Sequence, residues 1–103
     1  AYRGVFETGF ETSAFHPCDQ PAEQWWVHVE DEDFSNRYTA IRQQHAAIEG
    51  RGLRLFVEVT VVGDVSPEGE YGHLGQYTKR LTITETRDMT FLAVNPDSTI
   101  SCR

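Results

Sequence analysis

Residues 52–63, with the sequence GLRLFVEVTVVG, constrain the fold more than any other part of this chain. Side chains alternate between two faces, and this period of two is typical of a β-strand. One face is aliphatic throughout and predicts a strand that lines a hydrophobic core; it consists of Leu53, Leu55, Val57, Val59 and Val61. The other face consists of Arg54, Phe56, Glu58, Thr60 and Val62.

The first 15 residues predict a second extended region. Residues 2–15 mix aromatic and β-branched residues with polar ones, and Gly4 and Gly9 interrupt them. A glycine inside a strand often marks a bend at a barrel corner, so we expect one long strand bent at a glycine. Residues 16–21 contain two prolines and an aspartate, which predict a loop after that strand.

Two further segments alternate in the same way. Residues 23–30, EQWWVHVE, place Trp25 and Trp26 on opposite faces of a strand. Residues 77–85, YTKRLTITE, resume the pattern, and the short apolar stretch 91–94 is consistent with an added strand. Residues 64–75, which contain one proline and three glycines, predict a loop with special backbone angles before the strand at residues 77–85.

One amphipathic helix is expected between the strand at residues 23–30 and the strand at residues 52–63. Asp33 or Ser35 can cap its N-terminus, and Gly50 and Gly52 end it. The acidic run at residues 30–33 is interpreted as a solvated helix start that complements the helix dipole. The apolar stripe recurs at spacings of four and three and consists of Phe34, Tyr38, Ile41, His45 and Ile48.

This order of elements predicts a mainly β fold. If the long first strand is counted as two, the elements form a small OB-like five-stranded barrel, closed or partly closed, with one α-helix between strands 3 and 4. An α+β sandwich could use the same elements without closing the barrel. The 103 residues are expected to form a single domain, residues 1–103, with a core of about residues 2–88 and a C-terminal extension, residues 89–103.

Two cysteines, Cys18 and Cys102, lie near opposite ends of the chain and form no CxxC pair, which disfavours zinc binding and thioredoxin-type redox chemistry. We predict a disulfide between them. Closing so long a loop would stabilise the fold by about 4–5 kcal/mol in an oxidising compartment. The alternative is two unpaired thiols, one of them buried and the other on a frayed tail.

Charge and hydropathy exclude two classes of partner. Sixteen acidic and nine basic residues give a formal net charge of −7, and Lys and Arg form no cluster that could follow a phosphate backbone. Nucleic acid is therefore not an expected partner. The apolar runs are far shorter than the roughly 20 residues that span a bilayer, so the folded domain is not expected to insert into a membrane.

Three motifs, YRGVFETGFETSAFHPC, WWV and EGEYGHLGQYTKRLTITE, resemble small bacterial envelope domains. They are similar to the OB-like C-terminal domain of lipoproteins of the copper-resistance and surface-sensing type, over roughly residues 2–88. The resemblance implies a periplasmic or other extracytoplasmic location, with lipid anchoring of the full-length product as one form of retention, and binding rather than catalysis. The chain departs from a copper role because Cu(I) favours clustered thiolates and thioethers, whereas Met89 is the only methionine.

Candidate binding residues concentrate in residues 71–77 and on the second strand segment. Tyrosines and a histidine in a glycine-flanked loop make a plausible recognition patch, and an outward Trp on an OB sheet face can stack on a ligand. The alternative is a packing role for these rings and a turn role for the glycines. The predicted ligand-binding residues are Tyr71, His73, Gln76, Tyr77, Trp26 and His28.

No catalytic motif is visible, and Glu7 and Glu11, at even spacing on one strand, are interpreted as surface charge. The sequence thus predicts a non-enzymatic binding module of the bacterial cell envelope that uses no cofactor and engages a protein partner or a glycan. The alternative function is a small copper- or zinc-binding envelope protein using His28 or His73 with carboxylates. No residue is predicted as a metal ligand, because the four histidines show no metal-binding spacing.

Overall fold

The computed structural model of the protein describes residues 1–9, 12–49, 54–98 and 100–102. The described chain contains strands, one α-helix and a short 3-10 turn at His73–Gly75. In chain order the elements are β1 (Tyr2–Gly9), β2 (Thr12–Pro17), β3 (Trp25–Val29), α1 (Glu32–Glu49), β4 (Leu55–Val65) and β5 (Arg80–Val94).

The five strands close into a barrel in the order β1-β2-β3-β5-β4, with β1 paired to both β2 and β4. Strands β3 and β5 run parallel, whereas the other neighbours are antiparallel. Helix α1 lies between β3 and β4 in the chain. The predicted OB-like barrel with a helix between strands 3 and 4 is confirmed, and its closure excludes the open sandwich.

The prediction of one long bent strand over residues 2–15 is wrong. These residues form an antiparallel hairpin, in which Phe6 pairs with Phe15 and Gly9 pairs with Thr12. Phe6 on β1 and Phe15 on β2 both face the core although they are nine positions apart, so the inward face changes from even to odd positions at the reversal. Residues 10 and 11, which come between the two strands in the sequence, lie outside the described residues.

The barrel interior is filled by apolar side chains from all five strands and from the start of α1. The predicted inner face of β4 is confirmed for Leu55, Val57, Val59 and Val61, while Leu53 lies outside the described residues. Phe34 from α1 meets Phe6 edge to face at 5.1 Å between ring centroids. The remaining members of the core are Phe15, Trp25, Val27, Leu81 and Ile83.

Helix α1 begins at Glu32, before either of the two predicted caps. Asp31, not Asp33 or Ser35, is the N-cap, because its carboxylate accepts the backbone N–H groups of Asp33 and Phe34. Thr86 Oγ1 on β5 also donates to this carboxylate at 2.6 Å. These donors, the Thr86 hydroxyl first, lower the pKa of Asp31. The helix is thereby fixed to the barrel at its N-cap.

The rest of the predicted apolar stripe packs as expected as far as it is described. Tyr38 and Ile41 are half-buried against the core, and His45 stacks on Phe91 at 3.7 Å between ring centroids. The side chain of Ile48 and the predicted helix-ending glycines, Gly50 and Gly52, lie outside the described residues.

Strand β5 is longer than the sequence suggested. Residues 91–94, expected as an added strand, continue β5 and pair with the start of β4, with Leu55 opposite Val94. Irregularities in the register between β4 and β5 allow this long pair to curve around the barrel. The first residues of the expected C-terminal extension are therefore part of the barrel wall.

The predicted disulfide is present between Cys18 and Cys102. It joins the segment after β2 to the C-terminal tail, residues 95–102. Under the tail lies a second, smaller apolar cluster outside the barrel, formed by Val5, Phe56 and Leu92 with Ile100 against them. In the described part of the chain no helix has the length and apolar character needed to cross a membrane.

Candidate functional site

The outer face of the barrel carries one row of side chains that crosses five neighbouring strands. Cα register pairs link Phe56 to Glu7, Glu7 to Ala14, Ala14 to Trp26 and Trp26 to Arg80. Their chain neighbours Phe6, Phe15, Trp25 and Leu81 fill the core, so the row must point outwards. We call Phe56, Glu7, Ala14, Trp26 and Arg80 the outer row.

The β4–β5 loop, residues 66–79, is tied to this face at one end of the row. Its two arms are joined by backbone hydrogen bonds, from Ser66 to Arg80 and from Gly69 to Thr78. Tyr71 and Tyr77 exchange two more, and the Tyr71 hydroxyl donates to the Pro67 carbonyl. The predicted loop is therefore an ordered extension of the β4–β5 pair that holds its tip, residues 72–76, in place.

Two of the predicted binding residues meet at the base of this loop. The rings of Trp26 and Tyr77 lie 5.3 Å apart between centroids and are tilted by 56°. The backbone of Gly72 comes so close to the indole that a Cβ there would lie 2.4 Å from Trp26 Cδ2. Burial is the main cause that raises the pKa of Tyr77, and the Glu7 charge adds to it. Trp26 and Tyr77 thus seat the loop on the barrel.

The other predicted binding residues spread around this seat. Tyr71 and His73 are half-buried, and Gln76 is exposed. His28 is exposed two residues beyond Trp26 on the same face of β3, and its Nε2 lies 3.6 Å from Glu30 Oε2. The structure therefore brings Trp26 and Tyr77 into contact and leaves His28 in a separate surface pair.

Sequence reasoning missed Leu74 at the tip of the loop. Its side chain is 79% exposed, alone among the large hydrophobic residues that the structure describes. Its backbone is left-handed, with φ 56° and ψ 20°, a conformation that costs an L-residue other than glycine roughly 1–2 kcal/mol. Its neighbours Gly72 and Gly75 also have positive φ. Glycines on both sides signal an unusual turn, but nothing in the sequence shows which side chain the turn presents.

Sequence reasoning also misplaced Glu7, which is not simple surface charge. Its side chain is 15% exposed, and its two carboxylate oxygens accept hydrogen bonds from His16 Nε2 at 3.1 Å and Arg54 Nη2 at 2.9 Å. The pKa of Glu7 is lowered, and the largest cause is the hydrogen bond from His16. Burial, the second cause, opposes this by raising the pKa, and Arg54 lowers it further. We call Glu7, His16 and Arg54 the Glu7 cluster.

The Glu7 cluster combines two residues of the β1–β2 hairpin, nine positions apart, with Arg54, which is 47 positions from Glu7. Glu7 is on β1, His16 on β2, and Arg54 immediately precedes β4. Only the pairing of β1 with both β2 and β4 brings them together, so no sequence motif marks them. Among the residues that the structure describes, no group of three or more His, Cys, Asp or Glu side chains is placed to hold a metal ion.

No protein-family model matches this sequence, and comparisons with curated proteins and with solved structures found no match.

Proposed function

We propose that this domain is a non-enzymatic binding module of the bacterial cell envelope, and that the tip of its β4–β5 loop engages a protein partner. The observation that carries the proposal is Leu74, which is held in a strained left-handed conformation and points its apolar side chain into solvent. Strain that contributes nothing to the free protein is a recurring feature of binding sites, where contacts with the partner offset it.

The surroundings of Leu74 favour a surface that is formed before binding. The loop arms are hydrogen-bonded to each other, and the loop base rests on the Trp26–Tyr77 pair. A preformed apolar anchor loses little conformational entropy when it binds, which improves affinity for a complementary pocket. Its position beside the sheet face and loops that OB folds use for ligands supports the same surface.

A protein partner is favoured over a glycan by the chemistry of the exposed groups. Glycan binding commonly uses an open aromatic face, whereas one face of Trp26 is covered by Gly72 and Tyr77. A single exposed leucine has no group that recognises sugar hydroxyls, but it fits an apolar pocket on a protein surface. The Cys18–Cys102 disulfide supports an oxidising, extracytoplasmic compartment for this encounter.

The test is capture from a detergent-solubilised envelope fraction by the immobilised domain. Leu74→Asn is the informative variant, because it removes the apolar group and suits the left-handed backbone. Tyr71→Ala and Tyr77→Ala are less suitable, since both rings also hold the loop together. Thr90→Asn, an exposed change on β5, is the control.

We expect a discrete protein to be retained by the wild-type domain and by Thr90→Asn, and to be lost with Leu74→Asn. Equal retention by all three forms would contradict the role of the loop. Retention of polysaccharide without protein would overturn the proposal in favour of a glycan ligand.

A further inference from the structure

A cavity of about 390 Å³ lies between the outer face of β1 and β2 and the disulfide-tethered C-terminal tail. Its volume falls within the range of small-molecule sites, roughly 300–1,000 Å³. The wall contains apolar side chains from the second cluster together with polar groups at one end. The apolar part includes Val5, Pro17, Phe56 and Ile100, and the polar end is the Glu7 cluster.

The charges at the polar end favour an anionic group over a cationic one. Both oxygens of the Glu7 carboxylate are already engaged, by His16 and by Arg54, so a ligand cation would compete with two existing partners. The Arg54 guanidinium has five N–H donors in a planar fork, and it can hold Glu7 and a second carboxylate together. Its side chain is 52% exposed, which leaves it accessible to a ligand.

The position of Arg54 is also fixed by its contacts with Phe56 and Asn95. Its guanidinium carbon lies 5.1 Å from the centre of the Phe56 ring, a cation–π distance. The Arg54 backbone N–H donates to Asn95 Oδ1, and the Arg54 carbonyl accepts from the Asn95 N–H. The guanidinium is therefore oriented over the cavity before any ligand arrives.

We propose that this cavity is a second binding site, for a small organic acid. The carboxylate of the acid pairs with Arg54, and its apolar body packs on Val5, Phe56 and Ile100. The formal net charge of −7 opposes an anion at long range, but salt screens exposed charges beyond roughly 8 Å, so the contacts inside the cavity decide the affinity. This site is separate from the loop tip and independent of the proposed partner.

The tail is a structural part of this site. Ile100, Ser101 and Cys102 form one wall, and the disulfide to Cys18 holds that wall against the barrel. The cavity is consequently a property of the oxidised protein.

The test is an NMR titration of the oxidised, isotopically labelled domain with three probes of matched size: benzoate, benzamide and benzylamine. We expect benzoate to shift the amide signals of Val5, Glu7 and Phe56 and to bind at least tenfold more tightly than benzamide. Arg54→Gln should abolish this preference. Arg87→Gln, at an exposed arginine paired with Glu85, should preserve it.

A second variant tests the apolar wall without touching the charges. Ile100→Ala should weaken benzoate and benzamide by the same factor, since both lose the same contact. Equal affinity of benzoate and benzamide for the wild type, preference for benzylamine, or an unchanged preference in Arg54→Gln would each overturn the proposal. Shifts confined to residues outside the cavity would overturn it as well.

Discussion

The rings of Trp26 and Tyr77 pack on each other on the outside of the barrel, 5.3 Å apart between centroids. Trp26 lies on the short strand β3, whereas Tyr77 lies in the β4–β5 loop, so this contact sets where the loop rests on the sheet. The backbone of Gly72 completes the contact by covering the indole. The position of Leu74 follows from these two anchors.

Gly72→Ala should destabilise the domain more than Gly75→Ala. Both glycines have positive φ, 71° and 65°, and Gly72 also has ψ −156°, a combination essentially confined to glycine, so alanine is strained at both positions and more so at Gly72. At Gly75 the nearest atom to a new Cβ is 3.3 Å away, but at Gly72 the Trp26 ring is at 2.4 Å. We expect an additional loss of about 1–3 kcal/mol at Gly72 alone, measured by urea unfolding without reductant. Equal losses would show that the loop does not rest on Trp26.

Leu74→Asn should raise the free energy of unfolding by about 0.5–1 kcal/mol. Asparagine tolerates the left-handed region, as Asn95 shows at φ 44° in this chain, and the exposed leucine gives up little burial. Gln76→Asn is the control, because Gln76 has φ −79° and gains nothing from the change. Chemical denaturation gives both values. A loss of stability in Leu74→Asn would mean that Leu74 is not strained.

Glu7→Gln should remove part of the acid sensitivity of the domain. The folded pKa of Glu7 is lowered from 4.5, first by the hydrogen bond from His16, so its charged form is favoured by folding. That contribution is fully present above about pH 5 and is lost as the pH falls through the lower folded pKa. The variant should be less stable than wild type by about 1–3 kcal/mol at pH 7, and the difference should shrink towards pH 3.

Unfolding curves at pH 7, 5, 4 and 3 measure this difference. Glu85→Gln changes the net charge equally at an exposed site and controls for it. A stability difference that stays constant from pH 7 to pH 3 would exclude a special role for the Glu7 carboxylate.

Removing the disulfide should lower the free energy of unfolding by about 4–5 kcal/mol, because the cysteines it joins are 84 positions apart. The double variant Cys18→Ser with Cys102→Ser should also loosen the tail over Val5, Phe56 and Leu92. Compared with wild type, hydrogen exchange in the double variant should speed up more for the amides of residues 100–102 than for those of β4. Unchanged stability and unchanged exchange in the tail would contradict a structural role for the bond.

The barrel could be predicted from the sequence because the pattern of apolar residues within single strands and within the helix marks their buried faces. Strand β4 shows its buried face by alternation, and α1 shows its stripe from Phe34 to His45. The hairpin of β1 and β2 was missed because the glycines in residues 2–15 were interpreted as a bend, although the inward side chains change from even to odd positions at the reversal. Asp31 was missed as a cap because an acidic run offers several equivalent candidates.

The candidate site was predicted only in part, for a related reason. Residues 71–77 and Trp26 are conspicuous by composition, and the structure brings Trp26 and Tyr77 together. The Glu7 cluster depends on the pairing of β1 with both β2 and β4, and the exposure of Leu74 depends on the dihedral angles of its turn. Neither of these quantities can be read from the order of residues.

The most direct test of the central claim is site-specific photo-crosslinking in intact cells. A photoreactive amino acid replaces Leu74 in one variant of the protein and Thr90 in another, since both side chains are exposed. We predict one discrete crosslinked protein from position 74 and none from position 90. No crosslink from position 74, or the same products from both positions, would contradict the claim that the loop tip binds a protein partner.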